Sequence, residues 1–194
     1  MTNSITPHAD LRVQEWLIDN TRAGFIDAET DMLADVLHAV VHAGAGVSFF
    51  TPFSIEEARS FWVEKVLPRV RAGTCRVLVT RLDDRIVGTV QLDLDMPPNQ
   101  QHRAAVAKLL VHPANRRRGI ARALMIALEG IARSERRTLL TLDTVSGSNA
   151  EFLYRSLDYV AVGVIPHYAR AALTPELEGT TIMYKEIIPP TGQP

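Results

Sequence analysis

The residues that most clearly suggest chemistry form a short basic turn, Arg116-Arg117-Arg118-Gly119-Ile120-Ala121, with a further arginine at Arg122. Pro113 ends an apolar run before the turn, and a helix is predicted to begin near Arg118. The first amides of a helix lack internal partners and lie at the positive end of its dipole. A diphosphate placed there would meet several hydrogen-bond donors at once.

The residue types within the turn fit the same interpretation. Gly119 would allow an anion to approach the backbone closely, and Ala121 keeps the next inward position small. The arginines would neutralise phosphate charge, whereas cations at a helix N-terminus are unfavourable without an anion. The chain lacks the glycine pattern of a dinucleotide fold and the Gly-Lys-Ser or Gly-Lys-Thr of a P-loop. The turn therefore predicts a local phosphate site of another kind.

Apolar periodicity predicts the elements that come before this turn. We expect a strand, a helix, a second helix, an antiparallel hairpin and a largely apolar central strand. Asp83 and Asp84 form the turn of the hairpin, and Ser54 with Glu57 forms a capping box at the second helix. In chain order these elements span residues 12–18, 28–43, 54–71, 76–81 with 85–94, and 104–111.

A β-α-β unit is predicted to surround the turn. An apolar helical stripe begins at Ile120 and is followed by a buried strand over residues 138–143. Ser148 and Glu151 form a second capping box before a short helix, and strands follow at 159–165 and 180–187, with a tail at 189–192. The fold class is α/β, with a mixed sheet of about seven strands flanked by about four helices.

Composition limits the classes of function. The chain has 194 residues, 46% hydrophobic, and its 21 basic and 22 acidic residues give a net charge of -1. We expect a single domain over residues 1–194, with a core at about 12–187, and binding to neither nucleic acid nor membrane. The lone Cys75 and the absence of a targeting pattern at the start favour a soluble, cytoplasmic protein. The oligomeric state stays open between monomer and homodimer.

At these residues the chain resembles the GNAT acetyltransferase superfamily. The phosphate turn of that superfamily reads Arg or Gln, two variable residues, Gly, one variable residue, then Gly or Ala, which Arg116, Gly119 and Ala121 match. The resemblance covers residues 36–186 and implies a GNAT-like fold with acetyl-CoA as cosubstrate. It implies contacts with the pantetheine arm or the pyrophosphate from Leu109, Leu110, Val111, Arg116, Arg117, Arg118, Gly119, Ile120, Ala121, Arg122 and Asn149.

The resemblance also implies a catalytic acid. In GNAT enzymes a tyrosine on the helix after the fifth strand commonly protonates the coenzyme A sulfur, and Tyr154 matches that position. Asn149, on the same helix, would contact the cofactor arm. From the residues alone, Tyr154 lies on the apolar face of its helix, so a core aromatic with a satisfied hydroxyl is the alternative.

Asp143 is the leading candidate for the base. It lies at the carboxyl end of its strand, where open α/β sheets present ligand-binding residues. The alternative is an acceptor for the amides of the following loop, because Asp commonly organises turns. Many relatives carry a glutamate on the preceding strand, where this chain has Ala105 and Ala107. Deprotonation relayed by water, or simple binding of the ammonium group by Asp143, therefore stays open.

No metal site is predicted. His38 and His42 have the spacing of ligands on one helix face, but no third ligand is evident, so surface or pocket histidines are the interpretation. His112 follows the central strand and is interpreted as an exposed residue beside Pro113, with a role as base as the alternative.

The chain looks most like the tabtoxin-resistance acetyltransferase type, through residues 42–49, 140–144 and 159–168. This resemblance suggests a small amino-acid-like amine, such as a metabolite, toxin or antibiotic, whose carboxylate Arg103, Arg155 or Arg170 could bind. A non-catalytic acyl-CoA-binding regulatory domain and a protein or peptide N-acetyltransferase are the alternatives.

Overall fold

The computed structural model describes residues 12–16 and 23–187, and within them the chain forms a seven-stranded mixed sheet with helices on both faces. The strands are ordered β1-β2-β3-β4-β5-β7-β6, so the apolar strand before the turn is central, as predicted. The strands are β1 (Arg12–Glu15), β2 (Cys75–Leu82), β3 (Arg85–Asp93), β4 (Arg103–Val111), β5 (Leu139–Val145), β6 (Val160–Arg170) and β7 (Leu177–Glu186). The helices are α1 (Ala23–His42), α2 (Ile55–Ser60), α3 (Leu67–Arg71), α4 (Ile120–Ser134) and α5 (Asn149–Arg155).

The predicted elements are present, with informative differences at their ends. The second predicted helix is α2, a π-helical segment (Phe61–Val66) and α3 in direct succession. In this stretch the Leu67 amide donates to the Trp62 carbonyl, and the next residue, Pro68, has no amide to donate. Part of the first predicted strand (17–18) and the predicted tail lie outside the described residues.

Two apolar layers enclose the sheet. On one face α4 and α5 bury Leu124, Leu128 and Tyr154 against the sheet. On the other face, α1 and the helical stretch from α2 to α3 bury Leu37 and Trp62. No helix in the described residues combines the length and the apolarity needed to span a bilayer.

The two central strands separate soon after they meet. β4 runs parallel to β5, and their register pairs only Arg103 with Leu139, Ala104 with Leu140 and Ala105 with Thr141. β5 pairs with β7 along its whole length instead. A gap therefore opens between residues 106–111 of β4 and 142–145 of β5. We call this gap the cleft.

A β-bulge lies where the cleft opens. Against β3, Ala107 pairs with Gln91 and Leu110 pairs with Thr89, so Lys108 and Leu109 together oppose Val90. The backbone of Lys108 has a φ of 51°. Because the extra residue reverses the alternation of side chains, Leu110 joins the core beneath α1, whereas Val106 belongs to the core beneath α4.

Gly88 on β3 lets the N-terminus of α4 approach the sheet. A Cβ at this position would lie 2.9 Å from Ile120 Cγ2 and 3.2 Å from the Leu110 carbonyl oxygen. Ile120 is the first residue of α4 and is buried. Gly88 thus determines how closely the N-terminus of α4, just after the basic turn, packs against the sheet.

We expect Gly88→Ala to lower the free energy of unfolding by about 1–3 kcal/mol, because overpacking forces the backbone or side chains to shift. Gly130→Ala is the control within α4, since its added Cβ would meet nothing within 4 Å. We expect the control to stabilise the protein by up to about 1 kcal/mol through helix propensity. Urea unfolding measures both, and a Gly88→Ala variant as stable as the parent would contradict this account.

Candidate functional site

The basic turn adopts the alternating backbone of an anion-binding loop. Arg116 is extended, Arg117 has a φ of 66°, and Gly119 has a φ of 78°. The helix α4 then begins at Ile120 rather than near Arg118. A Cβ at Gly119 would meet no atom of the chain within 4 Å, so glycine is required here by its left-handed backbone.

The backbone donors of the turn are free. Within the described part of the chain, the amides of residues 117–122 find no acceptor, and the next amide, of Ala123, bonds to the Gly119 carbonyl. The side chains of Arg116, Arg117 and Arg118 are exposed around these amides. A diphosphate fits this group of donors and charges, because each phosphate oxygen can accept from an unpaired amide.

Arg122 makes a contact within the chain besides the role predicted for it. Its guanidinium donates to Ser156 Oγ at 2.6 Å and to the Ser156 carbonyl at 3.4 Å. Ser156 caps the C-terminus of α5. Arg122 therefore ties α4 to α5, and its neutralisation of phosphate stays a prediction.

The cleft begins beside the turn and is bordered by Leu109, Leu110 and Val111. Leu110 is buried beneath α1, and Leu109 and Val111 pack from the α4 side. Because β4 does not pair with β5 here, its backbone edge towards the cleft is left without a strand partner. An extended chain such as a pantetheine arm could hydrogen-bond along that edge. His112 instead supports the following turn, since its Nδ1 accepts from the Ala114 amide at 3.3 Å.

Helix α5 borders the other side of the cleft. Ser148 Oγ accepts from the Glu151 amide, as predicted. However, Glu151 Oε2 accepts from the Gly147 amide at 2.7 Å rather than from Ser148, so the predicted capping box closes one residue earlier. Asn149 is exposed in the first turn of α5, and Tyr154 is buried further along.

The Asp143 carboxylate acts electrostatically on Tyr154. Asp143 is exposed on β5, opposite Ile182 of β7. Burial raises the pKa of Tyr154 well above its usual range, and the Asp143 carboxylate raises it further. The phenol is therefore protonated at neutral pH.

Lys108 is a further charged residue of the cleft, and the sequence analysis missed it. Its Nζ donates to the Val47 carbonyl at 2.9 Å and to Ser48 Oγ at 3.0 Å. The same Nζ lies 5.5 Å from the ring centroid of Phe49 and 5.6 Å from that of Phe61. Burial lowers the pKa of Lys108, and the Asp143 carboxylate acts in the opposite direction. The feature of the sequence that could have identified it is a lysine within a largely apolar central strand.

The other candidate cations are already engaged. Arg103 bonds to Gln100, Arg155 forms an ion pair with Glu151 at 2.6 Å, and the Arg170 guanidinium stacks on Phe50.

The histidine pair is engaged as well. The rings of His38 and His42 lie with their centroids 4.1 Å apart and their planes tilted by 35°, and His42 Nδ1 bonds to the His38 carbonyl. No group of three or more metal-ligating side chains occurs within the described residues.

A sheet split by a cleft that leads to an anion-binding helix N-terminus is the architecture of an acyl-coenzyme-A-dependent transferase. The profile of the acetyltransferase (GNAT) family matches residues 45–159, and the chain belongs to this family. It is therefore an N-acetyltransferase with acetyl-CoA as cosubstrate. The tabtoxin-resistance type is not established by this match.

Solved structures share the fold at low identity. An acetyltransferase from Salmonella typhimurium, solved with acetyl-CoA, is 16% identical, with a TM-score of 0.72 over 95% of this chain and 98% of that one. A ribosomal-protein-alanine N-acetyltransferase from Brucella melitensis is 20% identical, with a TM-score of 0.70 over 90% and 99%. A structure described as a phosphinothricin N-acetyltransferase is 12% identical, with a TM-score of 0.67 over 92% and 99%.

Glu151 holds the start of α5 through its charge, so its contribution to stability should depend on pH. The Gly147 amide and then Arg155 hold the pKa of the Glu151 carboxyl below its usual value. This stabilisation is present above the unfolded-state pKa and is lost as pH falls through the folded-state pKa. We expect Glu151→Gln to destabilise the protein at about pH 7 and much less at about pH 3.

Urea unfolding at both pH values measures this difference. Glu186→Gln is the control, since Glu186 is exposed at the end of β7. A destabilisation by Glu151→Gln that is equal at both pH values would contradict the electrostatic role.

Proposed function

We propose that this acetyltransferase acts on the primary amine of a small, amino-acid-like acceptor. The observation that carries the proposal is a segment between α1 and α2, residues 43–53, which lies over the cleft and contacts the sheet at several points. We call this segment the roof loop. A covered cleft suits a small acceptor better than the surface of a folded protein.

The roof loop is fixed at both of its ends and at its centre. Near its start, a Cβ on Gly46 would lie 2.8 Å from Val145 Cγ2, which shows how closely the loop approaches the end of β5. In its centre, the Val47 carbonyl accepts from Lys108 of β4. Further along, the Thr51 amide donates to the Ala172 carbonyl at 2.8 Å. The loop thus closes the acceptor side of the cleft.

The proposed catalytic residues are Asp143 and Tyr154. In the transfer, a bond forms between the amine nitrogen and the acyl carbon, and the bond from that carbon to sulfur breaks. The nitrogen loses a proton, which Asp143 receives directly or through a water molecule. The sulfur gains a proton, which Tyr154 donates. The phenol is then reprotonated from solvent.

We propose that the turn and cleft hold the donor. Arg116, Arg117 and Arg118 with the free amides of residues 117–122 would bind the pyrophosphate, and the open edge of β4 at residues 109–111 would bind the pantetheine arm. Asn149, exposed in the first turn of α5, would contact the same arm.

A protein acceptor and a regulatory function without turnover are the two alternatives to this proposal. The name of the Brucella relative concerns a protein substrate, and that of the phosphinothricin relative concerns a small molecule. The roof loop favours the second kind of acceptor, including a toxin or an antibiotic. A regulatory domain that binds acyl-CoA without turnover is the less favoured alternative, because the family consists of transferases.

We also propose that the chain forms a homodimer through β6. This strand lies at the edge of the sheet and exposes Val160, Val162, Val164 and Ile165 without a charge among them. A second copy could pair antiparallel with this exposed apolar strand. Sedimentation should give the mass of two chains for the parent and of one chain for Val162→Lys. A monomeric parent would overturn this assignment.

Release of thiol from acetyl-CoA with a panel of small amines, amino acids and peptides tests the function. We expect turnover with a small amine. Arg117→Ala should raise the KM for acetyl-CoA about tenfold, because a charge-assisted contact is lost. Tyr154→Phe should lower kcat about 100-fold or more, and Asp143→Asn should lower kcat/KM for the amine similarly.

Arg136→Ala is the control for Arg117→Ala, since Arg136 is exposed at the opposite end of α4. It should leave the KM for acetyl-CoA unchanged. Cofactor binding without turnover would favour the regulatory domain, and activity on peptides alone would favour protein acetylation. Unchanged constants in a variant would overturn the role of that residue.

A further inference from the structure

We infer that Lys108 binds a carboxylate of the acceptor, so that the preferred acceptors are amines that carry an acidic group. The inference rests on the proposed function and identifies the substrate class more closely. It is carried by the position of Lys108 and by its contacts.

The β-bulge presents Lys108 to the acceptor side of the cleft. The bulge lies just beyond the last residue of β4 that pairs with β5, Ala105. The side chain then extends beneath the roof loop, where it contacts Val47, Ser48 and the rings of Phe49 and Phe61. Its ammonium therefore lies where the roof loop meets the cleft.

The charge of Lys108 has no direct anionic partner. Its two hydrogen bonds go to a carbonyl and a hydroxyl, which are neutral, and the aromatic rings supply only a partial counter-charge. Among the described residues, no carboxylate lies within ion-pair distance of its Nζ, although Asp143 acts on it from further away. An ammonium has three donors, so one remains for a ligand.

A second donor lies on the same face of the sheet. Gln91 is opposite Ala107 in the register, next to the bulge. Its side-chain nitrogen is buried and has no acceptor within the described residues. A buried amide donor without a partner is costly, and a ligand oxygen would relieve that cost.

The arrangement of charges matches an amino acid. Asp143 lies on β5 and Lys108 on β4, so opposite charges border the same cleft. An acceptor amine at Asp143 and its carboxylate at Lys108 would satisfy both. The arginines considered from the sequence are less suited, since Arg155 is paired with Glu151 and Arg103 lies before the cleft.

Matched acceptors test the inference. We would compare thiol release for a panel of L-amino acids with that for the corresponding carboxamides, which retain the amine and lose the negative charge. The parent enzyme should prefer the best acid over its amide by about tenfold or more in kcat/KM, mainly through KM. Lys108→Gln, which keeps an N–H donor for Val47, should abolish this preference, and Lys108→Arg should retain part of it.

Lys65→Gln is the control, because Lys65 is exposed in the π-helical segment away from the cleft. It should keep the preference of the parent. The KM for acetyl-CoA should be the same in all of these variants, which separates loss of the acceptor contact from loss of the fold.

The outcomes are distinct from those of the proposed function. Turnover of acids and amides with equal kcat/KM by the parent would overturn the role of Lys108 while leaving the acetyltransferase of small amines intact. A preference that persists in Lys108→Gln would also overturn it. No turnover of any small amine would instead overturn the proposed function. The comparison of acid with amide in the parent needs no variant to fold.

Discussion

The structure of the site depends on the early separation of β4 and β5. Parallel neighbours normally continue their ladder, but here the pairing ends at Ala105, and the bulge at Lys108 follows three residues later. Bulges twist a strand and redirect its side chains. Because β5 is paired with β7 throughout, the sheet stays continuous while its centre opens. The cleft therefore arises from the separation of two strands and not from small side chains along them.

The two ends of the cleft differ in their electrostatics. At the end of β4, the free amides and arginines of the basic turn create a local positive field in a chain whose net charge is -1. At the other end, the Asp143 carboxylate raises the pKa of Tyr154 and opposes the lowering of the pKa of Lys108 by burial. The contact of Arg122 with Ser156 links α4, which follows the basic turn, to α5, which carries Tyr154. Positioning of this kind lowers the entropic cost of bringing donor and acceptor together.

Local signals made most elements predictable from the sequence. The Asp83-Asp84 turn, the capping serines and the glycine of the basic turn each depend on neighbours in the chain, and each is present. The bulge could not be predicted in the same way, because it arises from register between β3 and β4. The position of β7 between β5 and β6 is likewise non-local. Lys108 was missed for this reason, since its importance comes from contacts with Val47 and Ser48, far away in the sequence.

Two of the alanines of β4, at positions 105 and 107, lie close to Lys108 in the sequence. Ala105 and Ala107 occupy positions where the resemblance led us to look for a glutamate, and their side chains are half-buried on the face opposite Val106. A glutamate there would add bulk and a negative charge that the two alanines lack. With Lys108 next in sequence, the strand instead contributes a positive charge. If Lys108 binds an acceptor carboxylate, as we propose, these two alanines of β4 avoid a negative charge that would repel that carboxylate.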